Sequence, residues 1–119
     1  MANIRMSRIN GELQKAIAET ITKLNNPELE GLIISIVDVD TAADLGVAKV
    51  AVSVLSSDNT KDLVVALLNK AKSFIRHEVM RMVRLRTMPD LIFIKDDSYE
   101  KSQKLMSLFE KVANEDRGE

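Results

Sequence analysis

The first 24 residues carry a repeating apolar stripe. Apolar or small side chains recur at intervals of three and four positions, at Ile9, Leu13, Ala16, Ile17, Thr20, Ile21 and Leu24. This spacing stacks the side chains on one face of an α-helix and predicts an amphipathic helix over Ile4–Leu24. The helix should stop at Asn25-Asn26-Pro27, because proline disfavours the helical conformation in the residue before it and has no amide proton to donate.

Three shorter segments are typical of β-strands. Leu32–Val39 and Val47–Val54 are rich in β-branched residues, and the second alternates valine with small or polar residues, which predicts one valine face towards the core. The polar residues and Gly46 between them predict an antiparallel hairpin with a loop longer than two residues. After Pro89, the segment Asp90–Lys95 has an apolar centre and is typical of a third strand.

A long helical pattern, Lys61–Arg86, lies between the hairpin and the third strand, and Ser57-Asp58-Asn59-Thr60 offers capping side chains before it. A straight helix of about 26 residues would be roughly 39 Å long, more than a domain of this size can cover. We therefore expect a break at Ala71-Lys72-Ser73, where the apolar spacing changes register. The side chains expected to face the core are Leu63, Leu67, Phe74, Ile75, Val79, Met82 and Val83.

The chain after the third strand predicts one more helix and a tail. Asp96-Asp97-Ser98 should cap a helix that carries Leu105, Leu108, Phe109 and Val112 on one face, and Asn114–Glu119 is a polar tail. The order α-β-β-α(bend)α-β-α predicts an α+β domain over residues 1–113. Its three-stranded sheet should have the helices packed on one face.

Composition narrows the classes of function. The 119 residues are 45% hydrophobic and 29% charged, as in one ordinary globular domain, and they include one histidine and no cysteine. Without cysteine there is no disulfide framework and no thiolate zinc site, and most arrangements for nucleophilic catalysis are missing. We expect no enzyme, no catalytic residue, no metal, no cofactor and no small-molecule substrate. No apolar run is long enough for a membrane span, so a cytoplasmic protein is expected.

The net charge of −1 conceals a reversal of sign along the chain. From Glu28 to Asp62 there are seven acidic and two basic residues, a net charge of −5. From Lys70 to Arg86 there are six basic residues against Glu78 alone, a net charge of +5 with histidine neutral. Such asymmetry indicates an oriented surface with a basic region that suits a polyanion.

Two other interpretations of the charges stay open. The basic residues can be solvated helix faces or partners of the domain's own acids, with Glu78 paired to Arg81 and Arg86 either capping the helix end or paired to Asp90. Alternatively, the acidic hairpin region from Asp38 to Asp58 docks a basic protein partner, and the arginines are structural. Charge reversal of the arginines separates this protein-interaction module from a polyanion-binding protein.

Four segments, in this order and spacing, resemble one family. They are Arg5-Met6-Ser7-Arg8-Ile9, Asp44-Leu45, Ala71-Lys72-Ser73-Phe74-Ile75-Arg76, and the run from Arg84 to Ser98. Together they make the chain, from about Ile4 to Val112, similar to the ribosome-binding factor A family of bacterial maturation factors. The resemblance implies a type II KH-like fold, binding to the free small ribosomal subunit through its ribosomal RNA, help with late processing and assembly, and support of growth in the cold.

The resemblance also identifies the residues at the break in the long helix. In that family the junction carries an Ala-x-Gly kink, and here it is Ala71-Lys72-Ser73, so that serine stands in the glycine position. A serine is strained where the backbone needs a positive φ and unstrained in a helical kink. We expect a monomer with no membrane contact, whose RNA-binding residues are Arg5, Arg8, Lys70, Lys72, Arg76, Arg81, Arg84 and Arg86.

Overall fold

The computed structural model describes residues 4–96 and 106–112 of the chain. A 3₁₀ turn at Pro27–Leu29 follows the first helix, and residues 106–112 are helical. The predicted α+β order is confirmed, and the second and third strands have the predicted bounds. The elements are α1 (Ile4–Thr22), β1 (Ile34–Thr41), β2 (Val47–Val54), α2 (Asp58–Lys70), α3 (Lys72–Met82) and β3 (Asp90–Lys95).

The sheet has the order β1-β2-β3, with β1 antiparallel and β3 parallel to the central β2. The predicted hairpin is therefore confirmed, and α2 and α3 form the crossover that a parallel pair requires. The register of β1 shifts between Ile36 and Asp38, so Val37 is an extra residue in that strand. This bulge changes the alternation of side chains, and for that reason Ile36 and Val39 both face the core. The first strand runs to Thr41, two residues beyond its predicted end.

The helices α1, α2 and α3 cover one face of the sheet, as predicted. The valine face of β2 is buried there, with Val50, Val52 and Val54 each no more than 4% exposed. The predicted stripe of α1 is also buried, and Leu13 and Ile17 are fully enclosed. Each large aliphatic side chain buried in this way contributes about 1.5 to 3 kcal/mol relative to an exposed one. The core thus fixes the positions of α1 and α3, which carry most of the predicted site.

The long helix breaks where the sequence predicts. The helix α2 starts at its cap Ser57, which accepts a hydrogen bond from the Thr60 amide, and it ends at Lys70. Ala71, with φ of −91° and ψ of 6°, separates it from α3. Ser73 lies inside the first turn of α3, and the only non-glycine residue with a positive φ in the described part of the chain is Leu45. Serine in place of the family's glycine therefore carries no backbone strain.

The break also resets which side chains of the two helices reach the core. Leu63, Phe74 and Met82 were predicted to face inward, and they are 46%, 52% and 40% exposed. The buried residues of α2 are Val64 and Leu68, one position later than the expected ones, because the two half-helices do not share one continuous phase. The second half also ends at Met82 rather than Arg86.

The last helical segment differs from the prediction in its packing. Residues 106–112 are helical, but Leu108, Phe109 and Val112 are between 52% and 64% exposed and do not belong to the core. Leu105 and the predicted cap residues Asp97 and Ser98 lie outside the described residues.

Three side-chain amides join the helices to the two outer strands. On β1, Asn10 accepts a hydrogen bond from the Thr41 amide at 3.1 Å, and Gln14 donates to the Ile36 carbonyl beside the bulge at 2.8 Å. On β3, the Asn69 amide group donates to the Phe93 carbonyl and its oxygen accepts from the Phe93 amide, both at 2.9 Å. These bonds satisfy backbone groups that have no neighbouring strand.

We predict that Asn69→Ala lowers the free energy of unfolding by about 2 kcal/mol, because the Phe93 amide and carbonyl both lose their partner. Asn69→Asp should also lower it, since a carboxylate still accepts from the Phe93 amide but places an oxygen against the Phe93 carbonyl, which loses its donor. Urea unfolding measures both, and Asn59→Ala, at an exposed position of the same helix, is the control with a change within about 0.5 kcal/mol. If Asn69→Ala and the control lowered the free energy of unfolding equally, Asn69 would not stabilise β3 through its bonds to Phe93.

Candidate nucleic-acid interface

Four arginines line a single cleft of about 250 Å³, which we call the arginine cleft. Arg5 and Arg8 come from α1, and Arg84 and Arg86 come from the segment between α3 and β3. All four are exposed, and neither Arg84 nor Arg86 forms an ion pair with any of the described residues. One acidic residue, Glu12, also lines the cleft. The lining therefore carries a net charge of three positive units, which suits phosphate oxygens.

The apolar part of the lining, which we call the floor, consists of Ile9, Leu45 and Leu85. Leu45 comes from the loop between β1 and β2, where its φ of 60° is unusual for a residue with a Cβ. Hydrogen bonds from the Leu45 amide to the Ala42 carbonyl and from the Gly46 amide to Asp44 hold this turn. Three separate parts of the chain thus meet at the cleft.

A second, wider cleft of about 590 Å³ adjoins the arginine cleft, because Arg8, Glu12 and Arg84 line both. It extends along α1 past Lys15 to Glu19, and Met82 and Val83 form its opposite wall. The two clefts form a groove between α1 and the end of α3. Its net positive charge comes from the arginine cleft, because Lys15 and Glu19 of the wider cleft cancel.

The predicted residues near the helix break form a different group, the kink group. Lys72, Ser73 and Arg76 line a cleft of about 290 Å³ together with Asp90 at the start of β3. Lys70 and Lys72 are exposed and make no ion pair within residues 4–96 or 106–112. This group lies at the first half of α3, whereas Arg84 and Arg86 of the arginine cleft lie beyond its last residue; α3 has 11 residues, a length of roughly 16 Å. The predicted basic residues therefore form two groups rather than one patch around the break.

Arg76 has a structural role that the sequence did not reveal. Its Nη2 donates to the Met88 carbonyl at 2.7 Å and its Nε donates to the Pro89 carbonyl at 3.2 Å. The same Nε lies 3.6 Å from Asp90 Oδ1, so Arg76 takes the partner that the sequence suggested for Arg86. The guanidinium binds the backbone that enters β3, which leaves it less free to contact a ligand.

The remaining predicted cation is partly neutralised. Arg81 and Glu78 form an exposed pair at 3.4 Å on α3, one of the alternatives that the sequence left open. Arg84 lies beyond the end of α3, so it does not share a helical face with Arg76 and Arg81. His77 is exposed beside them.

The acidic residues do not form a single docking surface. Asp40 and Asp44 lie near the hairpin loop, whereas Asp58 and Asp62 lie beyond the other end of β2 and pair with Lys61 and Lys95 at 3.8 and 3.3 Å. Among residues 4–96 and 106–112, no three His, Cys, Asp or Glu side chains are arranged to hold a metal ion. No helix in these ranges combines the length and apolar character of a membrane span.

Comparison with known proteins decides the family. The family model for ribosome-binding factor A matches residues 5–109. The chain belongs to the ribosome-binding factor A family. The factor from Clostridium acetobutylicum is 37% identical over 120 residues, with 100% of this chain and 98% of the relative covered. A factor from Buchnera aphidicola is 38% identical over 111 residues, with 91% and 92% covered.

Solved structures of ribosome-binding factor A have the same fold. The solution structure of a putative factor from Thermotoga maritima has a TM-score of 0.72 at 28% identity and covers 81% of this chain and 91% of its own. The crystal structure of the Thermus thermophilus factor has a TM-score of 0.66 at 26% identity, with 76% and 94% covered. A homology model of the Thermus thermophilus factor, fitted into a cryo-EM map of its 30S complex, has a TM-score of 0.61 at 25% identity, with 74% and 91% covered.

In this family member, the sequence pointed to the arginines of the cleft but not to the other residues that shape it. Lys15 and Glu12 lie on the same side of α1 as Arg8, and helical spacing was a signal that could have grouped them. No signal in the sequence placed Leu45 on the floor, because a loop and a helix more than 30 residues apart meet there only through the fold.

We predict that Arg76→Gln lowers the free energy of unfolding by about 2 kcal/mol, because two backbone carbonyls lose a charged donor. Arg81→Gln removes the same charge from an exposed pair on the same helix and should change stability by no more than about 0.5 kcal/mol. Urea unfolding of the two variants gives the comparison. If both variants were equally stable, Arg76 would not hold the segment that enters β3.

Proposed function

We propose that this protein binds the free small ribosomal subunit through its ribosomal RNA. It assists the late processing and assembly of that subunit, including at low temperature, and does so as a monomer in the cytoplasm without catalysing a reaction. The single observation that carries the proposal is the convergence of Arg5, Arg8, Arg84 and Arg86 on one cleft, in a family whose Thermus thermophilus member was fitted into a 30S complex.

The geometry of the groove supports RNA as the ligand. Guanidinium groups donate paired hydrogen bonds to phosphate oxygens, and the wider cleft adds Lys15 along the same side of α1. Contacts to phosphates position a protein on RNA without reading its sequence, so selectivity comes from the shape of a large folded site. Lys70 and Lys72 of the kink group supply a second contact, and Arg76 and Arg81 contribute less because they have partners in the protein.

The first test is the dependence of binding on salt. Each phosphate neutralised on single-stranded RNA contributes a slope of about −0.7 to the logarithm of affinity against the logarithm of salt, so four contacts give about −3. Titration of labelled protein with free small subunits between roughly 50 and 200 mM salt measures this slope. An affinity that hardly changes over this range would contradict phosphate contact.

The second test removes two charges of the arginine cleft. Arg84→Gln combined with Arg86→Gln should weaken binding to free small subunits by about tenfold or more and reduce the salt slope to about −1.4. Lys23→Gln combined with Lys95→Gln is the matched control, because these lysines pair with Glu19 and Asp62 elsewhere on the surface. Binding that survives equally in both variants would contradict a role for the arginine cleft, and circular dichroism verifies that the fold is intact.

A further inference from the structure

The acidic residue in the arginine cleft needs an explanation, because it opposes the charge that the cleft presents. We propose that Glu12 is an internal substitute for phosphate: in the free protein its carboxylate pairs with Arg8 inside the arginine cleft, and an RNA phosphate displaces it on binding. Glu12 thereby weakens the binding of RNA and gives Arg8 a partner when RNA leaves. This inference rests on the proposed function for its biological ligand but concerns a property of the cleft itself.

Glu12 is placed among the arginines by the fold. Its Oε1 lies 3.5 Å from Arg8 Nε, and its side chain lines both the arginine cleft and the wider cleft, as Arg84 does. The Glu12 side chain is 46% exposed and that of Arg8 is 81% exposed. Water and ligand can therefore reach the pair, and an incoming phosphate can replace the carboxylate without any rearrangement of the core.

The Arg8–Glu12 pair stabilises α1 less than a pair in the opposite order would. In a helix, an acidic residue four positions before a basic one is favourable, and the reverse order is less so, because the helix dipole favours negative charge towards the N-terminus. The same helix contains the favourable order in Glu19 and Lys23, whose charged atoms are also 3.5 Å apart. Arg8 and Glu12 have the less favourable order. The position of Glu12 is therefore better explained by the arginines around it than by its own helix.

The exchange of anions follows from the charges. A carboxylate and a phosphate both accept hydrogen bonds from guanidinium groups, and they compete for the same donors. Glu12 also repels any phosphate that approaches the cleft while the carboxylate stays in place. The net charge of three positive units remains attractive to RNA, so the competition lowers the affinity without abolishing it.

The test compares Glu12→Gln with a control of equal charge. Glutamine keeps the size of the side chain and removes its charge, and Glu28→Gln makes the same change at an exposed turn beyond the other end of α1. The probe is a fluorescently labelled single-stranded RNA of about ten nucleotides, a length within the range that proteins binding single-stranded nucleic acids contact. Fluorescence anisotropy at low salt should show roughly two- to fivefold tighter binding for Glu12→Gln than for Glu28→Gln, as expected for loss of one exposed ion pair.

A second measurement reports the displacement directly. When the RNA saturates the unaltered protein, the NMR signal of the Glu12 side-chain carboxyl carbon should shift and that of Glu28 should not. Equal affinities of the two variants, weaker binding by Glu12→Gln, no detectable RNA binding, or an unmoved Glu12 signal would each overturn the inference.

The same variants separate this inference from the proposed function. If free small subunits bind the unaltered protein and Glu12→Gln gains no more than Glu28→Gln with RNA, the function stands and the inference fails. If Glu12→Gln gains affinity for the RNA while no form of the protein binds small subunits, the anion exchange stands and the proposed function fails.

Discussion

The guanidinium of Arg76 is the contact on which the arrangement of the chain around the candidate site depends. It joins α3 to the carbonyls of Met88 and Pro89, at the point where the backbone turns into β3. A parallel strand pair needs its crossover to return to the sheet at a fixed position, and this contact fixes the return. The short segment between α3 and β3 is thereby held at both ends. Arg84 and Arg86 lie in that segment and are presented towards α1.

The candidate site is a product of tertiary structure. Its walls come from the first two turns of α1 and from the segment after α3, and its floor includes Leu45 of the hairpin loop. The first part is positioned by the buried stripe of α1, the second by the contacts of Arg76, and the third by a turn with a positive φ. A site built from side chains on fixed elements keeps its geometry when the ligand leaves, so little ordering has to accompany binding.

Features of the fold that depend on local chemistry could be predicted from the sequence. The apolar stripe of α1, the valine alternation of β2 and the proline before β3 each determined an element, and the break at Ala71 followed from length and register. Of the residues predicted to face inward, Ile75, Val79 and Val83 are buried as predicted. The predictions for Leu63, Phe74 and Met82 were wrong, because a break resets helical phase by an amount that the sequence does not encode locally. The alternation of β1 was obscured by the bulge at Val37, since one inserted residue reverses every later side chain.

The candidate site was predictable to a lesser degree. Counting charge identified the basic segment but could not tell Arg84, which faces the cleft, from Arg76, which binds its own backbone. The difference lies in which carbonyls come within reach of each guanidinium, and that depends on the path of the chain between α3 and β3. Glu12 was missed for a related reason. A single acidic residue in a helix gives no sign of a site until the fold places arginines from other segments near it.

The hydrogen bonds between Asn69 and Phe93 also protect the edge of the sheet against self-association of the protein. A strand at the border of a sheet is a template for another extended chain, which can lead to domain exchange or fibrous aggregates. In the middle of β3 the outward amide and carbonyl are already occupied by a helix side chain. An incoming chain would have to displace α2 before it could extend the sheet on this side.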